Sequence, residues 1–245
     1  MLLRRITKHI TDQNWFAVFI DFLIVVVGIL LAFQITEWSE QRQDASLETT
    51  YLNRLAADLD ETINYLSCRD EQQTELKSNI ENALATINNR EASDQELIEA
   101  VNLYISKGTN LSDFKVTRTT FDDLQSTGNL GLIRNEELVK SLGQLHTNFT
   151  EYNLSALVNT DWILPFESKI TWEMDFFRFD TNTQHLFPEK SAAEIAQHIR
   201  DNTDLLTRHA SLHYWYVVTI SNGYKSAGQE AKVAREMIKS ELESK

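Results

Sequence analysis

Trp15-Phe-Ala-Val-Phe-Ile-Asp21-Phe-Leu-Ile-Val-Val-Val-Gly28-Ile-Leu-Leu-Ala32-Phe-Gln-Ile-Thr-Glu-Trp38 is the stretch whose reading decides the architecture of this chain. Between Phe16 and Phe33 it is apolar except for Asp21. From one tryptophan to the other a helix would measure about 35 Å, a little more than the ~30 Å hydrocarbon core of a bilayer. Tryptophans at both ends suit the two membrane–water interfaces, which makes Trp15 and Trp38 the expected interface anchors. A cleaved signal peptide would have a shorter apolar region followed by small residues at a cleavage site. Ala32-Phe-Gln34 lacks that pattern. Residues 15–38 therefore read as one transmembrane helix.

Positive charge sets the expected orientation. Arg4, Arg5 and Lys8 precede the span, and Glu37, Glu40, Arg42 and Asp44 follow it. Residues 1–14 then form a cytoplasmic, weakly amphipathic N-terminus with Leu2, Leu3, Ile6 and Ile10 along the inner leaflet. Residues 39–245 form an extracytoplasmic domain. The net charge of −13 resides in that domain, whose acidity disfavours nucleic acid as a partner.

Asp21 lies about 9 Å inside the span. A carboxylate at the bilayer centre costs roughly 2.5–3.5 kcal/mol, less near the edge, and a helical side chain tilted toward the N-terminus reaches back to cytoplasmic water. Asp21 thus reads either as a snorkelling residue or as part of a contact face. Ala17, Asp21, Gly28 and Ala32 share an arc of about 80° at 3.6 residues per turn. Gly28-x-x-x-Ala32 is a small-xxx-small pair that admits a second helix. The bilayer is the first expected partner; a second copy of the chain or another membrane protein is the next.

Outside the span the sequence predicts only helices. The whole chain holds 7 Gly and 2 Pro, too few for the turns that many strands need. Leu52, Leu55, Leu59, Ile63, Leu66, Leu76, Ile80, Leu84 and Ile87 form a stripe that carries the membrane helix on to about residue 89. It lapses at Arg69-Asp-Glu-Gln-Gln73, where the helix is either solvated or broken. Ser93-Asp-Gln-Glu96 and Ser191-Ala-Ala-Glu194 are capping boxes. The first opens a short helix ending near Gly108. A short helix follows over 117–125. Asn129-Leu-Gly-Leu-Ile133 reads as a buried connection. A helix with Leu138, Leu142, Leu145 and Phe149 starts after Asn135 and stops near Trp162, because Pro165 disturbs it. The last helix, about 203–243, is expected to pack back along the first. The fold class is all-α: one transmembrane helix continuing into a long amphipathic helix, packed with C-terminal helices in an antiparallel, coiled-coil-like bundle.

Chemistry is sparse. There is no P-loop, GxGxxG, GxSxG or CxxC, and Cys68 is the only cysteine. His209 and His213 have metal-ligand spacing but no HExxH glutamate, and they read as core histidines near Tyr214, Trp215 and Tyr216. No catalytic residue, cofactor or metal is expected. The aromatic segment 166–188, with Trp172 and Phe176, reads as packed core or lid, or together with His209 and His213 as a candidate pocket.

The chain resembles a family of uncharacterised bacterial single-pass membrane proteins. The likeness rests on Arg4-Arg5, Asp21, Val27-Gly28-Ile29-Leu30, Gln34-Ile-Thr-Glu-Trp38, Tyr51-Leu52 through Asp58-Leu59, and Thr120 to Ile133. It implies an inner-membrane protein with a periplasmic helical domain and no assigned activity. The layout is also similar to that of stator subunits of flagellar and Tol/Ton systems, where an aspartate at this place carries protons. Three roles are open on these grounds. They are an accessory or scaffold protein docking through its span, a stator-like subunit with Asp21 as proton relay, and a tethered sensor or binding module.

Overall fold

The computed structural model describes residues 15–108, 114–173, 181–182 and 190–244. Every α-, π- and 3-10 element among them is helical, and none is a strand. In chain order these are α1 (Trp15–Ile87), α2 (Asp94–Leu103) with a π turn at Tyr104–Gly108, and α3 (Thr119–Ser126) with a 3-10 turn at Asn129–Leu132. Then come α4 (Glu136–Glu173), α5 (Ala192–Asp201) and α6 (Thr203–Glu243). The chain divides into two compact units, Met1–Tyr51 and Leu52–Lys245.

In the first unit none of the apolar run of α1 is buried. It is long and apolar enough to cross a membrane. Phe19, Leu23, Ile24, Val27 and Leu30 are exposed, as are Asp21 and Ala32. A Cβ added at Gly28 would meet nothing within 4 Å. Trp38 is exposed; the side chains of Trp15 and Ala17 lie outside the described residues.

In the second unit the stripe of α1 does what its spacing predicts: Leu52, Leu55, Leu59, Leu66, Ile80 and Ile87 are buried. The polar stretch at 69–73 does not break the helix. Asp70 from this stretch is instead paired across the interface, accepting from Ser221 Oγ at 2.6 Å and pairing with Lys225 at 3.6 Å. α6 runs antiparallel to this part of α1, as the further pairs Arg235–Asp60, Tyr214–Glu81 and Asn88–Thr207 show. It also runs antiparallel to α4, through Asn135–Glu241, Asn148–Glu230, Tyr152–Glu230 and Thr160–Tyr216. Leu138, Leu142, Leu145 and Phe149 of α4 and Tyr216, Ile220, Tyr224, Ala227 and Ala234 of α6 are buried. The alanines of α6 keep that helix slim where it is enclosed by its neighbours.

Both capping boxes form: Ser93 pairs with Glu96 and Ser191 with Glu194, side chain to backbone in each direction. α3 has no side-chain cap of its own. Its first turn is held from α1, where Asp58 accepts from Thr120 N at 2.8 Å and Thr62 Oγ1 accepts from Thr117 N at 3.1 Å. α3 is closed by Gly128, whose φ of 75° is left-handed and favours glycine.

Two expectations need correction. The connection 129–133 buries only Ile133, since the 3-10 turn before it faces partly outward. The helix expected to stop near Trp162 runs through Pro165 to Glu173. Proline removes one backbone donor and leaves a carbonyl one turn earlier without its partner. Residues 161, 162, 164, 165 and 166 are exposed, so water can serve that carbonyl and the helix survives.

Candidate functional site

The continuation of α4 past Pro165 places Glu167 against α6. His209 and His213, one turn apart on α6, meet it there. His209 Nε2 lies 3.1 Å from Glu167 Oε1, and His213 Nε2 bonds to the same oxygen. One donor atom from each of the three residues lies within 4.8 Å of the others. Tyr104 closes the group from the π turn that ends α2: its hydroxyl is 2.5 Å from His209 Nδ1. Its ring stands edge-on to both imidazoles at 5.8 and 6.1 Å. π turns recur at functional sites because they re-aim one side chain out of helical register.

Burial makes this arrangement chemically pointed. Tyr104 and His213 are fully buried, His209 is 5% exposed, and the Glu167 side chain retains 24% exposure. Burial by itself would raise the Glu167 carboxyl pKa. Hydrogen bonds from His209 and His213, and the positive charge those rings can carry, overcome that and hold it down at about 2. Glu167 is therefore an anion at neutral pH. Burial, with the Glu167 charge, pushes the Tyr104 phenol well above its ordinary value, so Tyr104 stays protonated. His213 Nδ1 meets no hydrogen-bond partner among the described residues, which leaves Nε2 as the polar end of that ring.

His209 also lines a cavity of about 310 Å³ together with Phe166, Ile170, Leu205, Arg208 and Leu212. Four of these six residues are apolar. An exposed aromatic group adjoins it: Trp162 contacts Phe166 at 6.0 Å and Trp215 at 5.4 Å, edge-on in both cases. Among the described residues, the wider grooves near Glu137 and Lys140 gather no buried ionisable cluster.

The residues singled out from sequence are thus distributed unevenly. His209 and His213 come together and are buried, as core histidines should be, but their aromatic partner is Tyr104 and not the neighbouring Trp215, which is 45% exposed. The side chain of Trp172 and the whole of Phe176 lie outside the described residues. Asp21, Gly28 and Ala32 sit in the other compact unit. Sequence reasoning missed Glu167 because it ended α4 too early. It missed Tyr104 because nothing local marks a tyrosine whose partner is 105 residues away. The His-x-x-x-His spacing was the one visible signal.

No protein-family model matches the chain, and neither a curated protein nor a solved structure is a match to it. The functional reading therefore rests on the geometry of the chain itself.

Proposed function

We propose that this protein is a membrane-tethered binding module. Residues 15–38 span the inner membrane of a bacterial cell with the N-terminus in the cytoplasm. The helices beyond form a periplasmic bundle that receives a small ligand with an apolar body between α4 and α6. The observation that carries this reading is the double role of His209. It lines the apolar cavity on one side and joins the buried Glu167–His213–Tyr104 group on the other. A ligand in the cavity would bury its hydrocarbon on Phe166, Ile170, Leu205 and Leu212, lie against the His209 ring, and set an acid group toward the Arg208 guanidinium in the lining.

The test uses the full chain in lipid nanodiscs and a panel of branched aliphatic and aromatic acids. Saturation-transfer NMR should detect binders to the native protein, and Leu212→Trp, which fills the cavity, should abolish the signal. Equal transfer to both proteins, or none to either, would overturn the reading. The tether has its own support in the unburied apolar run. Alkaline phosphatase fused after residue 45 should be active in whole cells.

The span supports a second reading, an accessory role in which it docks on another helix. Asp21 is exposed, and the surface at Gly28 has room for close approach. Gly28→Leu should weaken any self-association measured by crosslinking in membranes. Asp21→Asn should preserve assembly if Asp21 only packs, and abolish ion-coupled activity if it relays protons as a stator residue would.

A further inference from the structure

We infer that Glu167, His209 and His213 form a binding site for one divalent transition-metal ion of the zinc class, with Tyr104 positioning His209 from behind. The inference deepens the binding-module reading, since it concerns the polar end of the same site.

The donor set comes first. Two imidazoles and one carboxylate suit zinc and its first-row neighbours; calcium and magnesium prefer oxygen-rich sites that this group cannot supply. Spacing comes next. Two ligands of a tetrahedral zinc ion lie about 3.4 Å apart when each bond is about 2.1 Å. His209 Nε2 and Glu167 Oε1 are separated by 3.1 Å, and all three donor atoms fall within 4.8 Å. Small side-chain movements would centre them on one ion. The donors are also held in place. Successive turns of α6 carry the two histidines, and α4 faces them with Glu167 in the antiparallel register already described.

Tyr104 is the independent observation. An imidazole that coordinates through Nε2 carries its proton on Nδ1 and commonly donates it to an outer partner, which fixes the ring. Tyr104 Oη stands 2.5 Å from His209 Nδ1, where it would accept that proton. Without a cation the tautomer reverses: the Tyr104 hydroxyl donates to Nδ1, and Nε2–H donates to Glu167. In that state both imidazoles direct their polar ends at one carboxylate oxygen. A divalent ion would replace this crowding with three separate bonds, and its charge would be partly balanced by Glu167. Among the described residues His213 Nδ1 has no hydrogen-bond partner. Three protein donors leave a tetrahedral ion one position for water or for a donor atom of a molecule in the cavity.

The test is metal uptake by the tag-free full chain in nanodiscs, stripped with a chelator and titrated with Co²⁺. One equivalent should produce the intense visible bands of a low-coordinate cobalt site, and Zn²⁺ should displace them. Glu167→Gln and His213→Ala should each weaken Zn²⁺ binding at least 100-fold while helical circular dichroism is retained. Tyr104→Phe should weaken it about 10- to 100-fold, the usual size of an outer-partner effect. If His213→Ala does not fold, Glu167→Gln, at a partly exposed position, carries the comparison. A folded native protein that takes up no cobalt, or a Glu167→Gln variant that binds zinc as tightly as the native chain, would overturn the metal site. An unchanged affinity in Tyr104→Phe would overturn the positioning role. Because Leu212→Trp leaves all three donors in place, cavity ligation and metal binding can fail separately.

Discussion

The apolar run of α1 and the Glu167–His209–His213–Tyr104 group invert ordinary protein composition in opposite ways. In the first, large hydrocarbon side chains lie outside, with none of the apolar run buried. In the second, ionisable and hydroxyl side chains lie inside and meet one another. Both arrangements are costly unless the surroundings compensate. Exposed hydrocarbon of this length calls for a non-aqueous solvent, and buried imidazoles call for partners of opposite character. The difference separates two kinds of evidence for function: one region bears on the medium around the chain, the other on its chemistry.

The largest effect should come from breaking the first region. Placing arginines at Val25 and Leu30 together should cost about 5–7 kcal/mol of insertion free energy, from roughly 2.5–3.5 kcal/mol for each. The double variant should leave the carbonate-resistant membrane fraction; its continued presence there would show that the run is no span. The unit Leu52–Lys245 should respond to different changes. Phe149, 1% exposed and in ring contact with Phe114 and His146, should cost about 3–5 kcal/mol when replaced by alanine, read by denaturant unfolding of the helical signal. Membrane fractionation of that variant should not change.

A smaller effect concerns pH. Burial, with the positive charge of Arg118, lowers the His146 pKa from 6.5 to about 4. The ring stacks on Phe121 at 4.0 Å in its neutral form. Because the folded value lies below the unfolded one, the unfolded chain binds more protons between them. The stabilisation is complete above pH 6.5 and is lost as pH falls toward 4, by about 3 kcal/mol in all. His146→Phe should flatten this part of the stability profile; an equally steep profile in the variant would exclude His146 as its source. Smallest are the caps. Ser93→Ala and Ser191→Ala should each cost about 1 kcal/mol, visible as a modest drop in melting temperature with the fold retained.

Much of the helical layout was legible because it is local. Period and composition marked α1 and α6, and two Ser-x-x-Glu boxes marked the starts of α2 and α5 within a residue. The stop assigned at Pro165 failed because a proline on an exposed helical face leaves a carbonyl that water can satisfy. That single error hid Glu167, and with it the third member of the cluster. The start of α3 was blurred because its cap, Asp58, comes from another helix.

The sequence alone determined the chain's helical character, its long apolar segment and the one-turn spacing of His209 and His213. These follow from interactions between residues a few positions apart. Only the tertiary structure decided that Tyr104, Glu167 and the two histidines share one buried place beside a cavity. The register of α4 against α6 and the π turn after α2 bring together groups separated by 42 and 105 residues, and no local pattern encodes such pairings.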